Sequence, residues 1–114
     1  MDYITRFYLI NFKKDNWFIL GEIKEYVEHL NINDILTVKI EVRKQGQHTP
    51  VDYPIISGRI DHISKCIENG FGTGTKQLVT GIGLHIDIET IEYIKSIIEN
   101  LQKIEKELNI NSND

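Results

Sequence analysis

From Leu36 to Arg43 apolar and polar residues alternate without a break, Leu36, Val38, Ile40 and Val42 against Thr37, Lys39, Glu41 and Arg43. A two-residue period fits a strand with one face on a core and the other in water, and no helix keeps it. A sheet must therefore organise the fold. The second strong constraint lies at the C-terminus, where Ile91, Ile94, Ile98, Leu101, Ile104 and Leu108 recur at three- and four-residue spacing behind Asp87, a good helix N-cap. This predicts a long helix to about Leu108, with 109–114 as a frayed polar tail.

Between and before these two elements the patterns are less pure. Tyr3 to Phe12 is apolar in both alternating sets, as expected of a central strand covered on both faces. Lys13-Lys14-Asp15-Asn16 interrupts it, and Asp15 or Asn16 is a plausible cap for a helix using Ile19, Ile23, Tyr26, Val27 and Leu30 as its stripe; Gly21 weakens that helix, and Trp17-Phe18-Ile19-Leu20 fits a strand instead. Tyr53-Pro54 forces extended backbone before a strand at Ile55-Ile56. Residues 59–68 fit either a short helix through Ile60, Ile63 and Ile67 or a continuation of that strand. A fourth strand is expected where Leu78, Thr80, Ile82, Leu84 and Ile86 alternate with Gln77, Val79, Gly81, Gly83 and His85, its two glycines leaving one face bare. The expected fold is one α+β domain over 1–108, an antiparallel sheet of about four strands with two helices packed on it, in the order β-α-β-β-β-α.

With 114 residues, 40% hydrophobic and 26% charged, the chain can bury one core without metals or disulfides. It has no apolar run of membrane-spanning length and no basic-then-apolar leader pattern at its start, so a cytoplasmic protein away from membranes is expected. Cys66, the single cysteine, sits among Ile63, Ile67 and Phe71 and reads as a small buried hydrophobe. A net charge of -4 argues against gripping a nucleic-acid backbone, which takes clustered Lys and Arg. Isoleucine abounds and alanine is absent, a bias of AT-rich coding sequence.

The segment Asn69-Gly70-Phe71-Gly72-Thr73-Gly74-Thr75-Lys76 is the most suggestive motif. A Walker-type phosphate loop would need glycine at 75 and a hydroxyl at 77, where Thr75 and Gln77 stand, and the alternating Gly70, Gly72 and Gly74 also miss the dinucleotide fingerprint. A strand connection carrying an exposed Phe71 is the simpler reading. His62-Ile63-Ser64 and His85-Ile86-Asp87 resemble, over six residues, the paired His-x-Ser/Thr motifs of two-histidine phosphoesterases, which would imply acid and base roles for His62 and His85. The second motif departs from that pattern at Asp87. No cysteine pair or helical histidine pair fixes a metal, and no cofactor is expected.

Two functions follow. The leading one is a small non-enzymatic inhibitor that neutralises a protein partner, as bacterial immunity proteins and phage-encoded inhibitors of host defence do, with Trp17, Phe71, Tyr53 and His48 as contacts because aromatic anchors dominate interface energy. Its rival is a small-molecule or nucleotide-phosphate site built from Gly70, Gly72, Gly74 and Lys76 with Arg59, His62 and His85, with phosphodiester chemistry as an extension. A third possibility is a homo-oligomer, a homodimer that buries the Gly81/Gly83 face or the C-terminal helix.

Overall fold

The computed structural model describes residues 2–24, 27, 29–47, 52–70 and 74–112. Among these are six strands and one helix: β1 (Asp2–Leu9), β2 (Trp17–Ile23), β3 (Ile35–Lys39), β4 (Glu41–Lys44), β5 (Ile55–Asn69), β6 (Lys76–His85) and α1 (Ile88–Ser112). The strands form one sheet in the order β3-β5-β6-β1-β2-β4. β1 and β6 run parallel and every other pair runs antiparallel. The expected four-stranded antiparallel sheet with two helices is thus corrected to a mixed six-stranded sheet with one helix.

Only Ile40 separates β3 from β4, yet these strands stand at opposite ends of the order. The alternation that opened the sequence runs straight through both, with Val38, Ile40 and Val42 facing the core. Past the end of β3 the chain keeps its partner: the Ile40 N–H donates to the Pro54 carbonyl at 2.9 Å and that of Val42 to the Asp52 carbonyl at 3.0 Å. On its other side Val42 pairs with Ile19 of β2. One bent strand therefore joins the two ends of the sheet, which curls back on itself.

Residues 17–23 form β2 instead of the expected first helix. Asn16 has φ of 66°, a left-handed turn residue, whereas a helix N-cap takes an extended conformation. Trp17 and Ile19 then point inward, and Trp17 is only 9% exposed, so it is a core residue and not the surface anchor expected. Gly21 has a packing reason: a Cβ there would meet the Lys39 carbonyl oxygen at 2.9 Å, just past the last β2–β4 pair, Leu20 with Glu41. Glycine permits that close backbone approach.

β5 carries through 59–68 as strand. Its register against β6 slips between Ile60 and His62, a bulge that reverses which residues face inward. Ile56 and Ile60 are buried before it, and Ile63 packs on the core after it. Cys66 falls on the opposite, outward phase and is exposed, which corrects its reading as buried.

The concave side holds the core. Phe7, Ile60, Ile82 and Leu84 form one cluster, while Trp17, Ile40, Val42, Ile56 and Ile86 form another with Ile94 and Ile98 of α1. The Asp87 cap is present, its Oδ1 accepting the Thr90 N–H at 2.8 Å. The helix continues past Leu108 to Ser112, through part of the segment expected as tail.

Candidate functional site

The expected contact residues do not form one site. Phe71, Gly72 and His48 lie outside the described residues. Gly70 and Gly74 belong to the β5–β6 connection, where the Gly70 N–H donates to the Thr75 carbonyl and Gly74 has φ of 69°, and Lys76 is the first residue of β6. Arg59 and His85 are direct cross-strand partners at the other end of the same hairpin, and His62 lies opposite Gly83. Lys76 and His85 are nine residues apart along one strand, about 30 Å at 3.3 Å per residue. A single phosphate cannot touch both.

Where Arg59 and His85 meet, they line a cavity of about 320 Å³ with Ile35, Ser57, Gly58 and Asp87. Its charge is mixed: Arg59 lies 3.6 Å from Asp61, and Asp87 adds a second carboxylate. The Asp87 carboxyl is held below its ordinary value by the Thr90 hydroxyl and then by the Thr90 N–H, so it stays ionised. Two carboxylates beside one guanidinium do not favour a phosphate. Among the described residues no group of three His, Cys, Asp or Glu side chains could hold a metal ion.

Gly81 and Gly83 do not leave a bare face. A Cβ at Gly83 would meet Ile10 at 2.8 Å and Tyr8 at 3.1 Å, and one at Gly81 would meet the Ser64 hydroxyl at 2.9 Å. Side chains of neighbouring β1 and β5 lean over the glycines and fill the space. Beside them, Arg6 on the same face reaches Glu22 at 2.9 Å and Glu68 at 3.1 Å, tying β2 to β5 across the sheet.

The convex face of β1, β2 and β4 carries the feature that sequence reasoning missed. Phe18 and Leu20 point outward from β2 with 49% and 37% exposure, next to exposed Tyr8 and Ile10. One cavity of about 320 Å³ is lined by Phe18, Leu20, Glu41, Arg43, Gly46 and Gln47. A second, of about 270 Å³, lies where β1 and β2 open into their turn, lined by Phe18 and Leu20 again with Tyr8, Ile10, Lys13 and Lys14, and by Leu9, Phe12, Trp17 and Ile19 from the inward phase. Phe18 and Leu20 belong to both linings, so the two cavities lie side by side along one grooved apolar surface. Its signal in the sequence was the apolar character of both phases of Trp17-Phe18-Ile19-Leu20. One phase fills the core and the other has no covering layer among the described residues.

Tyr53, also expected as a contact, is half-exposed and lies elsewhere, with the Lys39 ammonium 5.7 Å from its ring centre. No helix among the described residues is long and apolar enough to cross a membrane. No protein-family model, curated protein or solved structure matches the chain.

Proposed function

We propose that this protein is a non-enzymatic binding module that engages a protein partner through the convex groove of β1, β2 and β4. The observation that carries the reading is the outward cluster of Tyr8, Ile10, Phe18 and Leu20 on a sheet whose opposite face already supplies the core. Contiguous exposed apolar surface of this kind costs solubility and is characteristic of interaction sites, and aromatic side chains contribute most of the energy there. A groove on paired strands is also preorganised, so little ordering entropy opposes binding. In the finer form of the proposal the partner is a protein whose activity is blocked on binding, as with immunity proteins and phage inhibitors of host defence; small size and acidity support it.

The nucleotide reading has less support, because its residues are divided between the two ends of the β5–β6 hairpin and the Arg59–His85 end carries two carboxylates.

The test is affinity capture from the cells in which the gene is native, with wild type beside Phe18→Ser and Leu20→Ser. A protein retained in stoichiometric amount by wild type, lost with both variants, and inhibited by added wild-type protein establishes the function. Equal retention by all three removes the groove as the site. Binding without inhibition removes the neutralising role alone.

A further inference from the structure

The groove ends in charge. Lys13 and Lys14, in the turn between β1 and β2, line its second cavity and also a third of about 370 Å³, whose other walls are Phe12, Lys95, Ile98 and Glu99. Other cations near the groove are already balanced: Arg6 sits between Glu22 and Glu68, Arg43 lies 2.9 Å from Glu41, and Lys95 lies 3.8 Å from Glu92. For Lys13 and Lys14 no ion-pair partner exists among the described residues, although the whole chain carries a net charge of -4. A local excess of positive charge on an acidic protein, placed at the end of an apolar groove, selects by sign what can lie there.

The turn that carries these lysines is fixed at both ends. Asn11 is hydrogen-bonded through its amide to both backbone groups of Ile86, and the Trp17 N–H donates to the Lys14 carbonyl at 3.2 Å, with the Trp17 ring in the core. Fixed backbone lowers the ordering cost of using both ammonium groups at once.

We infer that the groove takes an acidic amphipathic segment of a protein partner, with apolar side chains along Phe18 and Leu20 and carboxylates held by Lys13 and Lys14. The inference rests on the protein-binding reading above and adds the chemistry of the partner. A nucleic-acid strand fits less well, because its affinity grows with the number of phosphates neutralised and this end of the groove offers only Lys13 and Lys14 beside Glu99 as cations without an ion pair among the described residues.

The experiment is selection of a random-peptide phage library on the full chain, followed by titration of a synthesised winner. The expected winners combine several Asp or Glu with aromatic or aliphatic residues. Their affinity falls about tenfold or more with Lys13→Glu/Lys14→Glu, less with Lys13→Gln/Lys14→Gln, and also falls as salt is raised. Phe18→Ser and Leu20→Ser lower it as well, with circular dichroism confirming that every variant is folded. Winners without acidic bias, or indifferent to both lysine pairs of substitutions, overturn the acidic segment and leave the apolar groove standing. Winners indifferent to Phe18→Ser and Leu20→Ser, or no winners at all, overturn both readings. A concentration-dependent dimer abolished by Phe18→Ser overturns them in favour of a second copy of the chain.

Discussion

Asn11 binds Ile86 at two points: its Nδ2 donates to the Ile86 carbonyl at 2.6 Å, and the Ile86 N–H donates to its Oδ1 at 2.9 Å. The amide substitutes for a backbone partner where β6 ends and α1 has not begun. It also sets the direction of the turn that carries Lys13 and Lys14. Asn11→Ala leaves both backbone groups of buried Ile86 unmatched and is expected to cost about 1–3 kcal/mol. Asn11→Asp keeps the acceptor but sets a carboxylate against the Ile86 carbonyl, so it should not restore stability. Urea denaturation of the two variants checks this; an unchanged midpoint in either would show that the clamp contributes nothing.

Asp87 links stability to acid. Its carboxyl is held below the ordinary carboxylate value by the Thr90 hydroxyl and N–H, so the folded state favours the ionised form. A depressed folded value means that the contribution is complete above the unfolded value and is lost as pH falls through the folded one. Asp87→Ala is therefore expected to be destabilising at neutral pH and to converge on wild type in strong acid. Asp87→Asn, still able to accept at the cap, should give a flatter dependence on pH below about pH 4. Melting temperatures over that range decide it, and a gap between Asp87→Ala and wild type that is constant with pH would exclude the linkage.

Cys66 should react with a thiol reagent in the native protein as completely as in denaturant, because it lies on the exposed phase of β5. Cys66→Ser should shift stability by no more than about 0.5 kcal/mol. A thiol protected until unfolding would mean that the outward phase of β5 is covered.

How far the sequence revealed this fold depended on whether a pattern had one period. The bent strand 35–44 and the terminal helix were readable because each keeps one period throughout. β2 was not, because Ile19 and Ile23 are four apart, a spacing that satisfies a helix turn and a strand face alike. The bulge hid β5 in the same way: adding one residue to a two-residue period turned Ile60, Ile63 and Ile67 into a three-then-four spacing that mimics a helix. The closure of the sheet depends on which strands meet, and local periodicity carries no record of that. The groove was hidden for a related reason, since outward Phe18 and Leu20 look like core residues until their partners on the inward phase are known.

Gly21 and Gly83 offer a separable test of the curled sheet. An added Cβ at Gly21 would meet a main-chain atom, the Lys39 carbonyl oxygen at 2.9 Å, while one at Gly83 would meet mainly the Ile10 side chain at 2.8 Å. Gly21→Ala, against main chain, should therefore destabilise by about 1–3 kcal/mol as an overpacked position, and Gly83→Ala, against the half-exposed Ile10 side chain, by less. Their remedies differ. Trimming Ile10 to alanine removes the obstacle at Gly83, so the cost of Gly83→Ala should fall by roughly half or more in that background, a coupling that a double-mutant cycle reads directly. Ile10→Ala is remote from the Lys39 carbonyl and should leave the cost of Gly21→Ala unchanged. Only displacement of the bent strand could relieve that contact, and this would weaken the pairing of Val42 with Ile19 that joins the ends of the sheet. Equal rescue of both glycines by Ile10→Ala, or no cost at Gly21, would contradict the close approach of the Lys39 main chain to β2.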